Sequence, residues 1–540
     1  MLVIAASLTG SMLAGGLVTN TNQSALFTRL QSRNASLSLD AAYYNPAGLT
    51  SLGQGLFISV NNQTIGQTRT ITSNYPYLSG SPREFDGTVS APLFPSVYVG
   101  YNLGRFAFSA GLTPIGGGGG AKYPGGLPSF EMMVADLVPL LSSQLIPTTQ
   151  YSADIFFEGS SVYFGYQVNA AYKVNDIMSL AVGGRLVTAN NTYMGHLRDI
   201  SINPTYPAFG AGFTGGLVLA RDFFTAGATT LNGLAAGANS FVTALQPIIT
   251  GGAGSTLLSN GTSVGMTALQ VGQAQQLLGA AGLTPAQIGA ATILTTQGTL
   301  AAAAPVFTGK ATAMTTNAAQ TQDIEVDASQ SGSGFTPIFS VNFALAENLN
   351  VAFKYEGKTK LELITKLKDN KGGGIFFEGD TVIADMPGMF GAGFEYKPID
   401  NLLLTGSMNV FFDGEVDYDG SRNLNINMIE KNFKEVAFGA QYTVNEKMRA
   451  SAGWLGTFTG VNSNYINDQR YSANTHTVGG GIGYRVNPMI DINLAASYTI
   501  YDLASKDYNR FLGPIPVPVT ETYDKALWLI AVGVDFTFGK

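Results

Sequence analysis

From Ala526 to Phe538 every second residue is apolar or bulky (Ala526, Trp528, Ile530, Val532, Val534, Phe536, Phe538), and Asp535 and Thr537 lie in the opposite phase. Successive side chains of a β-strand point to opposite faces, so this segment has one greasy face and one small or polar face. Such a strand, reaching an aromatic residue near the end of the chain, is expected to close an outer-membrane β-barrel. The same parity recurs upstream. Val478, Ile482 and Tyr484 alternate with Thr477, Gly481 and Gly483, Ile492, Leu494 and Tyr498 with Asn493, Ser497 and Thr499, and Leu402, Leu404 and Met408 with Thr405, Ser407 and Asn409. A soluble sandwich also alternates. Here, however, the polar face carries Gly, Ser, Asn and scattered charge, while Tyr, Phe and Trp crowd the apolar face near strand ends, as interface girdles do.

No run of about 18 apolar residues occurs, so any membrane passage must be by strands. The absence of cysteine excludes disulfides and thiol chemistry, and the net charge of −7 argues against a nucleic-acid partner. Residues 1–14, apolar from Leu2 to Leu13 and leading to small residues, read as the core and cleavage end of a signal peptide. Short polar connections at Asn102–Gly104, Val174–Asp176, Ala346–Asn348, Pro398–Asn401, Asn445–Lys447 and Asn487–Pro488 each separate two alternating runs. With both termini on the periplasmic side, these hairpins predict an all-β transmembrane, antiparallel barrel of about fourteen strands. They are placed near 56–68, 88–102, 105–115, 160–174, 177–195, 335–345, 349–365, 376–397, 401–417, 431–444, 447–460, 471–486, 489–503 and 521–538.

The barrel, residues 55–540, is expected to carry extracellular insertions at about 116–158 and 196–334. In the first, Phe130, Met133, Val134, Leu137, Leu140 and Leu141 recur at helical spacing. A helix so apolar must hide its face against another loop or a ligand; Phe130, Met133, Leu137 and Leu141 are therefore the candidate ligand groove. The second, rich in Ala, Gly, Thr and Gln, predicts helices from Met266 to Ala280 and from Thr284, an N-cap followed by Pro285. Together they read as a packed cap.

Ahead of the first strand, residues 15–54 lack alternation and contain Asp40-Ala41-Ala42-Tyr43-Tyr44-Asn45-Pro46-Ala47-Gly48-Leu49. Pro46 fixes its own φ and holds Asn45 extended, which makes a rigid turn outside any ladder. Such backbone is tolerated at membrane depth only inside protein, as a plug in the lumen is; an ordinary turn into strand one is the alternative. At these residues the chain resembles the FadL/TodX family of outer-membrane transporters, whose N-terminal hatch carries an acidic lead into Asn-Pro-Ala-Gly-Leu. Asp40, Asn45, Pro46, Ala47, Gly48 and Leu49 are then the hatch residues. The resemblance implies passive uptake of long-chain fatty acids or similar hydrophobic molecules across the bacterial outer membrane. Capture in a loop groove, transfer to a pocket beside the hatch and lateral exit through an inward kink of strand three would follow one another. The tract from Gly210 to Ser331 and the ending Phe538-Gly539-Lys540 depart from the family pattern.

Strand three meets Thr113-Pro114 and then Gly116 to Gly120. Proline donates nothing to a ladder and glycine weakens one. Thr113, Pro114, Gly116 and Gly117 thus mark either a lateral opening or the strand's end. Lys173, Arg185, Arg449 and Arg485 have lumen parity and are candidate contacts for a carboxylate, although pairing with Asp40, Glu395, Glu435 or Asp491 is the commoner use of such charge. His196 and His476 stand far apart with no triad spacing, so no enzyme is expected. The run Asp413, Glu415, Asp417, Asp419-Gly420 has Ile426 where a calcium loop closes with a carboxylate, so no metal and no cofactor is expected. The expected partners are a hydrophobic small molecule and outer-membrane lipid, with the chain a monomer. The competing reading is a non-transporting adhesin or receptor with an apolar extracellular cap.

Overall fold

A polypeptide in hydrocarbon must satisfy its backbone groups internally, and a sheet does so only by closing on itself. The computed structural model describes residues 19–371, 376–416 and 428–539, and in it fourteen antiparallel strands close. They are β1 Gly55–Ser73, β2 Arg83–Asn102, β3 Phe106–Tyr123, β4 Tyr151–Lys173, β5 Met178–Ile202, β6 Ile324–Ala346, β7 Leu349–Glu356, β8 Met389–Ile399, β9 Leu402–Phe411, β10 Phe433–Thr443, β11 Met448–Phe458, β12 Thr475–Asn487, β13 Ile490–Tyr501 and β14 Ile515–Gly539. Closure runs from Gly55 opposite Gly539 to Ser73 opposite Glu521. Four further strands, Val218–Leu219, Glu362–Lys371, Thr381–Ile383 and Ala504–Leu512, pair outside this ring. The expected signal segment 1–14, the start of the expected hatch at 15–18, and Asp417, Asp419, Gly420 and Ile426 lie outside the described residues.

The wall is inverted relative to a soluble protein. Ser59, Asn61, Asn169, Asn342, Thr405 and Asn493 are buried, whereas Val182, Phe339, Val478 and Ile530 are each more than half exposed. Four of the six short turns share one device: Asn102, Asn175, Asn445 and Asn487 each accept, through Oδ1, a backbone N–H two residues on.

Several boundaries differ from those read in the sequence. The expected strand 349–365 leaves the ring after Glu356, and Glu362–Lys371 pairs instead with the upper half of β6. The expected strands 376–397 and 401–417 shorten to Met389–Ile399 and Leu402–Phe411. The insertions narrow to 124–150 and 203–323 because β3 to β6 run on beyond the apolar band. There the outward side chains become polar (Glu158, Ser160, Asn190, Thr192, Ser329, Ser331), and the alternation that locates a strand vanishes from the sequence.

Inside the ring lie Thr19 to Leu52, including helices α1 (Ala25–Leu30) and α2 (Ala41–Tyr44). Over the end opposite the short turns sit α3 (Pro128–Ala135), α4 (Leu137–Ser143), α5 (Ala220–Ile248), α6 (Ala268–Ala280), α7 (Pro285–Gly289) and α8 (Ile293–Gln320). Thr267, Thr284 and Thr292 open α6, α7 and α8 with capping boxes. The long pair α5 and α8 was not read from the sequence, because Thr and Gly are poor helix formers. Here Thr225, Thr229, Thr243, Thr308 and Thr312 return their hydroxyls to the carbonyl one turn back. Buried Leu231, Ala235 and Ala238 on α5 and Leu300, Ala304, Phe307 and Ala311 on α8 form facing stripes.

The C-terminal carbonyls of α1 rest on lumenal glycines of the wall. A Cβ at Gly453 would lie 2.0 Å from the Leu30 oxygen, at Gly439 2.2 Å from it, and at Gly479 2.3 Å from that of Thr28. Gly453→Leu should therefore expel α1 while the barrel closes. A cysteine at fully buried Ala25, shielded from bulky maleimides in the parent, should label several times faster in that background, with heat-modifiable gel mobility retained.

Candidate functional site

The inner segment is fastened to the wall by side chains that alternate into the lumen. Asn45 donates through Nδ2 to Asn342 Oδ1 (2.7 Å) and to the Ser36 carbonyl (3.1 Å), and accepts from Ser340 Oγ (3.2 Å). Ala47 N–H donates to Ser340 Oγ (3.3 Å), and Asn102 Nδ2 to the Leu49 carbonyl (3.2 Å). Pro46 opens the 3₁₀ turn that carries them. At Gly48 a Cβ would meet Asn45 Nδ2 at 2.5 Å and the Ser36 oxygen at 2.7 Å, so no larger residue fits. Asp40 ties the segment to itself, accepting from Arg33 Nε and Nη2 (both 2.8 Å) and Ser36 Oγ (2.6 Å).

Beside this plug the ladder fails. β2 and β3 pair from Asn102 opposite Ala107 to Val97 opposite Leu112, and again at Thr88 opposite Lys122, but Val89–Ser96 and Thr113–Ala121 do not pair. Across the break the inward parity of β2 slips, from Ser96, Tyr98 and Asn102 to Phe85, Gly87 and Val89. β3 stays on β4 with register shifts around Gly116, while Thr113, Pro114, Ile115 and Gly116 are buried one after another. The strand has bent inward. Its carbonyls are taken up by the plug: Asn20 N–H donates to Ile115 O (2.8 Å), and Asn20 Nδ2 and Gln23 Nε2 to Pro114 O (3.0 and 3.1 Å). Gly117 has φ +96°, and a Cβ there would lie 2.2 Å from Ser161 O. Across the break, Pro92 and Pro95 lack N–H groups, and Pro92 O accepts instead from Thr64 Oγ1 (3.0 Å). These two prolines were missed in the sequence, although proline inside an alternating run is the signal that marks them.

At the other end a pocket between α3 and the wall is lined by Phe130, Met133, Phe157, Tyr193, Val326 and Phe376. Phe130 meets Phe157 edge-on at 5.7 Å, and Tyr193 stacks on Phe376 at 5.1 Å. Leu137 and Leu141, grouped with Phe130 and Met133 by periodicity, are instead wholly buried with Ile155, Leu197, Phe223 and Phe224. The helical run is interrupted at Asp136, whose carboxylate accepts from Arg510 (2.6 Å), and Pro139 in α4 lacks the N–H that would meet the Ala135 carbonyl. Glu131 accepts from Tyr151 (2.7 Å) and pairs with Arg83 (2.9 Å); burial pushes its carboxyl above the ordinary range against both.

The four candidate cations all have protein partners. Lys173 pairs with Asp176 (2.9 Å), and Arg449 and Arg485 share Asp491 (2.6 and 3.4 Å). Arg185 is clamped by Glu356 (2.7 Å) and Gln167 (2.6 Å), its guanidinium 4.8 Å from the Tyr43 ring.

A closed fourteen-strand ring with an internal N-terminal segment is the fold of FadL-type barrels. In structure the chain is similar to a Pseudomonas aeruginosa FadL homologue, over 97% of this chain and 99% of that one, with TM-score 0.54 and 13% identity. It is similar also to the P. putida toluene transporter TodX, over 93% and 95%, with TM-score 0.50 and 10% identity. A TodX deletion mutant described as a monoaromatic hydrocarbon channel gives 0.51 at 11% identity, over 97% and 100%. No known family profile and no curated protein sequence matches the chain.

The division of the cap helix has a measurable consequence. Leu137→Ala and Leu141→Ala should each destabilise the cap by about 2–5 kcal/mol, seen as faster limited proteolysis of the 203–323 insertion. Phe130→Ala, at the pocket, should leave cap proteolysis close to that of the parent.

Proposed function

We propose that this chain carries hydrophobic molecules passively across a bacterial outer membrane, working as a monomer and without chemistry on its cargo. The cargo enters at the capped end through the pocket at Phe130 and Met133, passes to the space above the plug, and leaves sideways between β2 and β3 into outer-membrane lipid. The observation that carries this reading is the ladder break at Val89–Ser96 and Thr113–Ala121 beside a lumen blocked by Thr19–Leu52. A blocked lumen offers no straight aqueous path. A break in the wall offers one that never exposes an alkyl chain to water, sparing about 0.8 kcal/mol per methylene. Two structural neighbours, a toluene transporter and a monoaromatic hydrocarbon channel, support the same cargo class. Long-chain fatty acids are the cargo that the hatch motif favours. An adhesin would use neither plug nor break.

Two variants separate capture from exit. Phe130→Ser with Met133→Ser should weaken ligand binding about tenfold or more, from a loss of roughly 1.5–3 kcal/mol per apolar side chain. Deleting Gly117–Gly119, which lets β3 run straight against β2, should leave binding intact and lower oleate uptake to the level of cells lacking the protein. Undiminished uptake by that deletion variant would exclude the lateral route.

A further inference from the structure

The helix that lines the pocket does not cap its own start. The N-cap position of α3 is Leu127, whose side chain offers no acceptor, and Pro128 follows with no N–H to give. Phe130 and Glu131 both donate to the Leu127 carbonyl (3.1 and 3.2 Å), which leaves the Ser129 amide without a partner inside the helix. That amide is met from another part of the chain. Asp468, 339 positions on, accepts it through Oδ2 at 2.7 Å. A side-chain oxygen on a first-turn N–H is what a cap residue ordinarily supplies; here a different loop supplies it.

The loop 459–474, between β11 and β12, is shaped to present this carboxylate. Asn467 Oδ1 accepts from the Gln469 and Arg470 amides (3.0 and 2.7 Å), and the Asn467 and Arg470 backbones close on each other (2.8 and 3.1 Å). Asp468 therefore stands in a tight turn. Lys506 Nζ, from the strand Ala504–Leu512, donates to the Ile466 carbonyl (2.6 Å) and ties the turn down. Ile466 clusters with Leu127 and Met132, neither of which lines the pocket. Asp468 itself is 7% exposed. Burial pushes its carboxyl above the ordinary range against the hydrogen bond from Ser129. Polar ties further along the helical run, Glu131 with Arg83 (2.9 Å) and Asp136 with Arg510 (2.6 Å), hold its later turns. At the start, one residue before Phe130, the tie is Asp468.

We propose that Asp468 is a positioning residue for capture: by capping α3 from the loop 459–474 it fixes the angle at which Phe130 and Met133 face the pocket. This deepens the transport reading and rests on it. One extracellular loop thereby sets the shape of a pocket to which it contributes no lining residue. Asp468 was not singled out in the sequence, since an aspartate in a polar loop carries no local sign of a helix so far away.

The test measures oleate binding by the purified full-length barrel in lipid nanodiscs at pH 8, with heat-modifiable gel mobility and proteolysis of the 203–323 insertion as checks on folding. Asp468→Ala should weaken binding about fivefold, the ordinary worth of a helix cap. Asp468→Asn, whose amide oxygen can cap as well, should hold affinity within about twofold of the parent. In a barrel that already carries Phe130→Ser and Met133→Ser, Asp468→Ala should shift affinity by less than about twofold, because no pocket side chain remains for it to aim. Parent affinity in Asp468→Ala, equal losses in Asp468→Ala and Asp468→Asn, or an undiminished loss in the doubly substituted background would each overturn the positioning role and leave hydrophobic transport standing. If Phe130→Ser with Met133→Ser leaves oleate binding unchanged, the capture pocket itself falls, and this role with it.

Discussion

Every other feature of this protein depends on the closure of its backbone hydrogen bonds. From Gly55 opposite Gly539 upward, β1 and β14 pair without interruption over the length of β1, and a register so long leaves no edge exposed to hydrocarbon. Given that closure, polar side chains have only one place to go. The buried asparagines, serines and glutamines of the wall form an inner surface able to hold irregular backbone, and the plug is what they hold. The wall then acts as a template: glycine where α1 needs room, asparagine where the plug's peptide groups need partners.

Against that rule the parting of β2 from β3 is informative because the backbone groups involved are not simply abandoned. Prolines at 92, 95 and 114 remove donors outright. Thr64 and Asn62 take up acceptor and donor on one side, and Asn20 and Gln23 of the plug donate to the Pro114 carbonyl on the other. Several groups at the break are thus met locally, in a ring that is otherwise closed. The same contacts couple the plug to the wall at the point where β2 and β3 part, so movement of Thr19–Gln23 would be felt at Pro114 and Ile115.

The cap follows a different logic. Its helices bury their stripes against one another in two clusters, one around Phe223, Phe224 and Leu137 and one around Leu258, Leu278 and Leu300. Phe130 and Met133 turn instead towards the barrel mouth. The ion pair of Asp136 with Arg510 ties the junction of α3 and α4, where pocket gives way to core, to the strand Ala504–Leu512.

The sequence by itself determined the class of fold, the number of strands in the ring and the positions of the short turns. Those properties are local: period-two alternation, girdle aromatics and asparagine turns are written within a dozen residues of one another. The Asn-Pro-Ala-Gly-Leu turn was legible for the same reason, since Pro46 and Gly48 constrain their own backbone. Tertiary structure alone decided which candidate cations were already paired, because Arg185 and Glu356 or Arg449 and Asp491 meet only across strands. It alone showed that Leu137 and Leu141 are core while Phe130 and Met133 face a pocket, because helical periodicity shows which face is apolar and not what covers each part of it. It alone brought Asp468 to Ser129. Residues in two distant loops become neighbours only when the strands that carry them share one ring, and no property of either segment taken separately contains that pairing.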